Sequence, residues 1–136
     1  MKTEKIITGY KFVHADLRSD SGECKWIIGE WREHKGELEL CRSGFHASED
    51  AMDAFNYIYG DRFFIIEARG NIVKGDDKFV ASEMRLAREI NLKKLSVWFS
   101  IRCARRCLKY WEKVYPDDDR PLKAIEAAER LSFEYV

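Results

Sequence analysis

The sequence lacks a surplus of either charge: 24 Lys/Arg are balanced by 24 Asp/Glu. That balance argues against attraction of the whole molecule to nucleic acid and leaves local patches open. No apolar run approaches the roughly 20 residues a membrane-spanning helix requires. The opening stretch, Met1 to Ile7, reads as a lysine-dotted strand rather than as a charged leader followed by an apolar segment. No membrane partner is therefore expected, and the expected location is the cytoplasm. There is no CxxC pair among the four cysteines, Cys24, Cys41, Cys103 and Cys107. A zinc site would need His34 or His46 recruited from a distance, so no metal is expected and buried thiols are. Glycine-rich phosphate loops, internal repeats and low-complexity tracts are absent too. No serine has an obvious base, so no catalytic residue and no cofactor is assigned.

What the chain does have is bulk and pattern. At 136 residues it is the size of one domain or of one domain with an appendage, and 46% hydrophobic with 13% aromatic content fills a core by burial alone. Ile6, Ile7, Tyr10, Phe12 and Val13 predict a first strand, followed by a polar connection from Ala15 to Gly22. Cys24 to Trp31 is a second apolar segment, and Glu37-Leu38-Glu39-Leu40-Cys41 alternates as a half-buried strand does. Ser48 is a candidate N-cap with Glu49 and Asp50 behind it, for a helix running to about Tyr59 with Gly60 as a left-handed C-cap. Phe63-Phe64-Ile65-Ile66 predicts a strand buried on both faces. Beyond the Lys74 to Asp77 turn, Phe79 to Ile90 alternates as a further strand.

The character changes at Asn91. Leu92 to Tyr115 holds neither Gly nor Pro, and Pro116-Asp117-Asp118-Asp119 breaks the chain before a second helix that starts near Pro121. The expected fold is α+β: a small antiparallel-leaning sheet with one packed helix over residues 1–90, then a C-terminal helical hairpin over 91–136 packed on it. Charge follows the same division. Residues 1–84 sum to −4, 85–113 to +7 and 114–136 to −3. At about 100° per residue, Val97, Ile101, Ala104, Leu108, Trp111 and Tyr115 form an apolar stripe for a core or an interface. The opposite arc carries Arg102, Arg105, Arg106, Lys109 and Lys113, with Trp98 among them. A Trp beside arginines suits an anchor for a partner, whether an acidic protein surface or a phosphate backbone; a solvated helix face is the plainer reading. His46, between Gly44 and the helix expected at Ser48, is the one histidine placed where backbone N–H groups could meet an anion.

The run Gly9-Tyr10-Lys11, Trp31, Leu38 to Cys41, Ser43-Gly44-Phe45-His46-Ala47, Phe55-Asn56-Tyr57, Glu67-Ala68-Arg69-Gly70 and Gly75-Asp76-Asp77-Lys78 resembles a small domain of unknown function found in bacteriophages and prophages. The resemblance covers about residues 8–90. Residues 95–131, with Cys103-Ala104-Arg105-Arg106 and Tyr115 to Pro121, are similar to the helical segment of immunity-type proteins. The resemblance implies a mobile-element origin and brings no reaction with it. More locally, Gly44-Phe45-His46-Ala47-Ser48 with the following helix and strand is similar to a stretch of ADP-ribosyltransferase folds. That likeness implies a nicotinamide dinucleotide or nucleotide site at His46 and Ser48, with Glu67 and Glu83 as the carboxylates to try.

The reading that follows is a non-enzymatic binding protein that inhibits a bacterial defence complex, as anti-CRISPR proteins do, through Trp98, Arg102, Arg105, Arg106, Lys109 and Lys113. Its expected partner is a bacterial protein or protein–nucleic-acid complex, with direct nucleic-acid contact and homo-oligomers left open. The alternatives are the small-ligand domain at His46 and Ser48, and an immunity-type toxin-binding protein.

Overall fold

The computed structural model describes residues 3–19 and 25–133, which fall into two units, Met1–Ile90 and Asn91–Val136. The first unit is built on β1 (Thr3–Val13), β2 (Arg32–Glu33), β3 (Phe45–Ala47), α1 (Ala51–Ala54), β4 (Arg62–Lys74) and β5 (Phe79–Ile90), with a single 3₁₀ turn at Phe55–Tyr57. The sheet is antiparallel, in the order β1-β4-β5-β2, and β3 also pairs with β5. β4 and β5 form its spine. Successive side chains point to opposite faces of a strand, so the apolar run of β4 is used twice over. Phe64, Ile66 and Ala68 enter a core with Val13, Trp26, Ala47, Phe79, Ala81, Met84 and Leu86. Phe63 faces the other way and is covered by Phe12 at 4.5 Å and Phe55 at 5.5 Å between ring centroids. The expected strand buried on both faces is found.

β2 and β3 share one edge of β5, Arg32 opposite Met84 and Phe45 opposite Ala81. Immediately after β3 the chain returns to β1: Tyr10 N–H donates to Ser48 O at 2.7 Å and Ser48 N–H to Tyr10 O at 3.0 Å. The sheet therefore curls until its two ends meet at a seam. On β4 the register slips between Arg69 and Ile72, where Gly70 has a φ of 86° and Ser82 Oγ accepts from Asn71 N–H at 2.8 Å. A Cβ at Gly70 would strike that Ser82 hydroxyl, so the bulge needs glycine for conformation and for space.

Three local expectations are corrected, and the apolar segment before β2 is irregular. Leu38 to Cys41 is a turn closed by Glu39 and Ser43, whose backbones exchange both hydrogen bonds, and not a strand. The edge of β5 that it would extend is already occupied by β2 and β3. Lys25 to Trp31 is likewise irregular: Trp26 plunges into the core, Gly29 turns at a φ of 86°, and Ile27 and Ile28 stay exposed. Cys24 and residues 20–23 lie outside the described residues. The helix expected from Ser48 shrinks to one turn because the seam holds Ser48 extended; Asp50 is the cap, its Oδ1 accepting from Met52 N–H at 2.7 Å. Gly60 is not left-handed but lies against the Val13 carbonyl, where no Cβ fits.

The second unit is the expected hairpin of α2 (Leu92–Val114) and α3 (Arg120–Phe133). Asn91 caps α2 through Lys94 N–H at 3.0 Å. The two helices meet around buried Leu108 and Ile125, and Arg105 reaches across to Glu129 at 2.6 Å.

Candidate functional site

A cleft of about 720 Å³ opens in the first unit beside the seam; Lys11, Cys41, His46, Tyr57, Tyr59 and Lys78 are among its lining residues. Its geometry follows from the turn that replaced the expected strand. Gly44, with a φ of 108°, turns the chain where a Cβ would be 2.7 Å from Leu38 Cδ2. The next residue but one, His46, points its ring back at the turn and accepts the Cys41 N–H on Nε2 at 2.8 Å. Burial, then the positive charges of Lys11 and Lys78, lowers the pKa of His46 below 6.5, against backbone hydrogen bonds to Gly44 and Glu39 that raise it. A neutral ring is the form that can accept from Cys41. Lys11 Nζ donates to the His46 carbonyl at 2.7 Å, which ties β1 to β3 a second time.

Braced this way, Cys41 adopts a φ of 69° and meets the Lys78 ammonium with its thiol. Lys78 also lies over the Tyr57 ring, 4.6 Å from its centroid. The Tyr57 hydroxyl donates to Asp77 Oδ1 at 2.6 Å. That hydrogen bond, with burial second, raises the Tyr57 pKa above 10.0; the thiol contact raises the Lys78 pKa above 10.5. At neutral pH the lysine is a fixed cation whose nearest partners are a sulfur and a ring face.

Other sequence candidates are placed elsewhere or already engaged. Ser48 is 1% exposed on the cleft floor, with its backbone committed to the seam. His34 Nε2 lies 3.0 Å from Ser43 Oγ, but Ser43 gives its proton to the Glu37 carbonyl at 2.8 Å, so His34 is the donor and does not activate the serine. Glu67 pairs with Arg85 at 3.1 Å and Glu83 with Arg69 at 3.2 Å across β4 and β5; the Trp31 ring lies under both guanidinium groups, at 3.8 Å from Arg69 and 4.9 Å from Arg85. Neither glutamate lines the cleft. Among the described residues no group of three or more His, Cys, Asp or Glu could hold a metal. Cys41, Cys103 and Cys107 are exposed and free, which corrects the buried-thiol expectation: the cysteines of α2 flank the stripe that meets α3 rather than enter it. Tyr57, Asp77 and Lys78 fall in runs that carry the family resemblance, but nothing in the sequence marks them as a site, since 20 residues separate Tyr57 from Asp77 and only the fold joins them.

On α2 the expected arc is largely realised. Trp98 is 53% exposed with the Arg102 guanidinium 5.0 Å from its ring. About three turns further along α2, Lys109 lies 5.1 Å from the ring of Tyr110, which is 66% exposed. Arg105 is the exception, since its ion pair with Glu129 commits it to the hairpin. Arg102, Arg106, Lys109 and Lys113 make no ion pair among the described residues. Of the predicted apolar stripe, Leu108 alone is buried and Ile101 half-buried.

Residues 7–97 match a family described as a domain of unknown function (DUF7666). The chain belongs to this family. No curated protein and no solved structure matches it. The DUF7666 region thus contains the whole cleft and ends one residue before Trp98, so the exposed Trp–Arg pair lies beyond it. No helix among the described residues is long and apolar enough to cross a membrane.

Proposed function

We propose that this DUF7666 protein is a binding protein that captures an acidic protein surface with the outer face of α2. The observation that carries the reading is the Trp98–Arg102 stack, exposed and on the same helix face as Arg106, Lys109 and Lys113, cations that make no ion pair among the described residues. A flat aromatic anchor beside guanidinium groups is the composition of an interface hot spot, in which a few Trp and Arg side chains dominate affinity. An acidic protein fits better than a polyphosphate backbone because the chain as a whole carries no net charge, so the long-range attraction that dominates nucleic-acid binding is missing, whereas a discrete Trp–Arg anchor suits a protein surface. The phage resemblance of residues 8–90 makes a bacterial defence complex the target class we favour, inhibited by occupation of its acidic surface. A toxin neutralised by an immunity-type partner is the other target that the resemblance of residues 95–131 allows.

The test is a tagged pull-down from bacterial lysate, with and without nuclease, read by mass spectrometry. A stoichiometric, nuclease-resistant protein is expected, and its identity distinguishes a defence complex from a toxin. The triple variant Trp98→Ala/Arg102→Glu/Arg106→Glu should weaken capture by at least about 30-fold, the scale of a lost hot spot, with an unchanged circular dichroism spectrum. Capture that survives the triple variant, or that disappears with nuclease, overturns the reading.

A further inference from the structure

Residues 1–84 carry four more acidic than basic groups, yet the cleft beside the seam has the opposite balance. Lys11, Arg32, Arg42 and Lys78 line it against one carboxylate, Glu33. Four of the twelve Lys and Arg side chains of residues 1–84 thus line this one cleft, and of these Arg42 is paired with Glu39 at 3.4 Å. Lys78 is the most telling of them. Its ammonium sits between the Cys41 thiol and the Tyr57 ring, while the neighbouring Asp77 spends its carboxylate on the Tyr57 hydroxyl and on Asn56 Nδ2 at 3.4 Å. The ammonium makes no ion pair within 4 Å among the described residues, the Asp77 charge acts on it only from nearby, and its two contacts hold it in place, so an incoming anion would find it preorganised. The fall in the His46 pKa caused in part by Lys11 and Lys78 is the same positive field read by a group on the cleft wall.

The second half of the argument is shape. Tyr57 and Tyr59 present rings 6.4 Å apart, tilted by 42° to each other, and both line the cleft with Tyr10. Tyr59 is close to half exposed. A volume of about 720 Å³ lies within the roughly 300–1,000 Å³ of small-molecule sites, and is larger than a lone anion needs. Cations at one place and tyrosine rings beside them suit a ligand that joins an anionic group to a flat ring.

We propose that this cleft is a binding site for a nucleoside phosphate, with Lys78 holding the anionic group and Tyr57 and Tyr59 the ring. The site is independent of the α2 face, and the two fail separately. The Lys11 ammonium, already bound to the His46 carbonyl, acts as a wall charge. His46 is a positioning residue, because its accepting nitrogen is taken by Cys41.

The experiment is calorimetric titration of the full-length protein with adenosine monophosphate, inorganic phosphate and adenosine in turn. Saturable binding of the monophosphate is expected, with both fragments at least about tenfold weaker, because each forfeits one half of the contacts. Lys78→Gln should weaken monophosphate binding about tenfold or more and Lys78→Arg should largely retain it. Lys78 lies on a turn with its head group in the cleft, and thermal melting of both variants verifies the fold. Arg102→Glu, on α2, should bind as the parent does. Absence of saturable heat at millimolar monophosphate overturns the site. Parent-like binding by Lys78→Gln overturns the assignment of the cation, and phosphate binding as tightly as the monophosphate overturns the ring half.

Discussion

His46 looked like a ligand residue in the sequence and proves to be a brace whose chemistry is visible in pH. Its pKa is depressed in the fold, so the unfolded chain binds its proton more readily than the folded one. The stability it contributes is fully present above 6.5, the ordinary value, and is lost as pH falls through the lower folded value. Stability measured by urea denaturation should therefore decline on acidification below 6.5 more steeply in the parent than in His46→Gln, whose amide oxygen can still accept from Cys41 N–H. Equal slopes would mean that the ring is not held neutral. Gly70 makes a second prediction at this scale. Gly70→Ala forces a side chain onto a φ of 86° and against Ser82 Oγ, and should destabilise the first unit by about 1–3 kcal/mol. A denaturation midpoint like the parent's would show that the bulge rearranges freely.

Among elements, those legible in the sequence were those whose pattern is long or sharply marked. β5 and α2 repeat their period over a dozen residues or more, β4 is announced by the continuous apolar run Phe63 to Ile66 and α3 by the break before Pro121; the structure has all four, with β4 running on to Lys74. The short elements were misread because tertiary pairing decided them. Glu37 to Cys41 alternates like a strand, but β2 and β3 already hold the neighbouring edge of β5. Ser48 is a good cap by type, but its backbone is drawn into the seam with Tyr10, and the capping passes to Asp50. The candidate site suffered in the same way: His46 and Lys11 could be noticed singly, whereas the contact of Cys41, Lys78 and Tyr57 exists only after three separate turns come together. The hairpin allows an energetic test of one element pair. Arg105 and Glu129 are both partly exposed, at 45% and 36% of side-chain area, so a double-mutant cycle should give a coupling of only about 0.2–1 kcal/mol. A larger value would make this bridge a main fastener of α2 to α3.

At the scale of the molecule, the two units differ in how much each buries. The first has a core of ten buried side chains including Trp26, Phe64, Phe79 and Met84, whereas Leu108 and Ile125 are the buried apolar side chains described in the second. Amide exchange followed by mass spectrometry should find β4 and β5 protected far longer than α2 and α3. The two readings also separate along this division: the cleft lies in the first unit and the Trp98 face in the second. A helix that keeps a Trp, a Tyr and a Phe exposed gains little for its own stability from them, which is why a partner is the natural explanation for them.

The seam between Tyr10 and Ser48 has a consequence for crowding among copies of the chain. A curled sheet with an open border would offer its unpaired amides as a template on which another strand could stack. Here the outer edge of β1 is engaged at Tyr10 by the bridge to Ser48, and on its inner edge the pairing with β4 shifts register between Thr3 and Ile7. On the far side, β5 is covered by two short strands rather than one long one. The bridge divides the β1 border into two shorter lengths and β2 and β3 take up the β5 border, so the fold that shapes the cleft also shortens the edges on which a neighbouring chain could begin to stack.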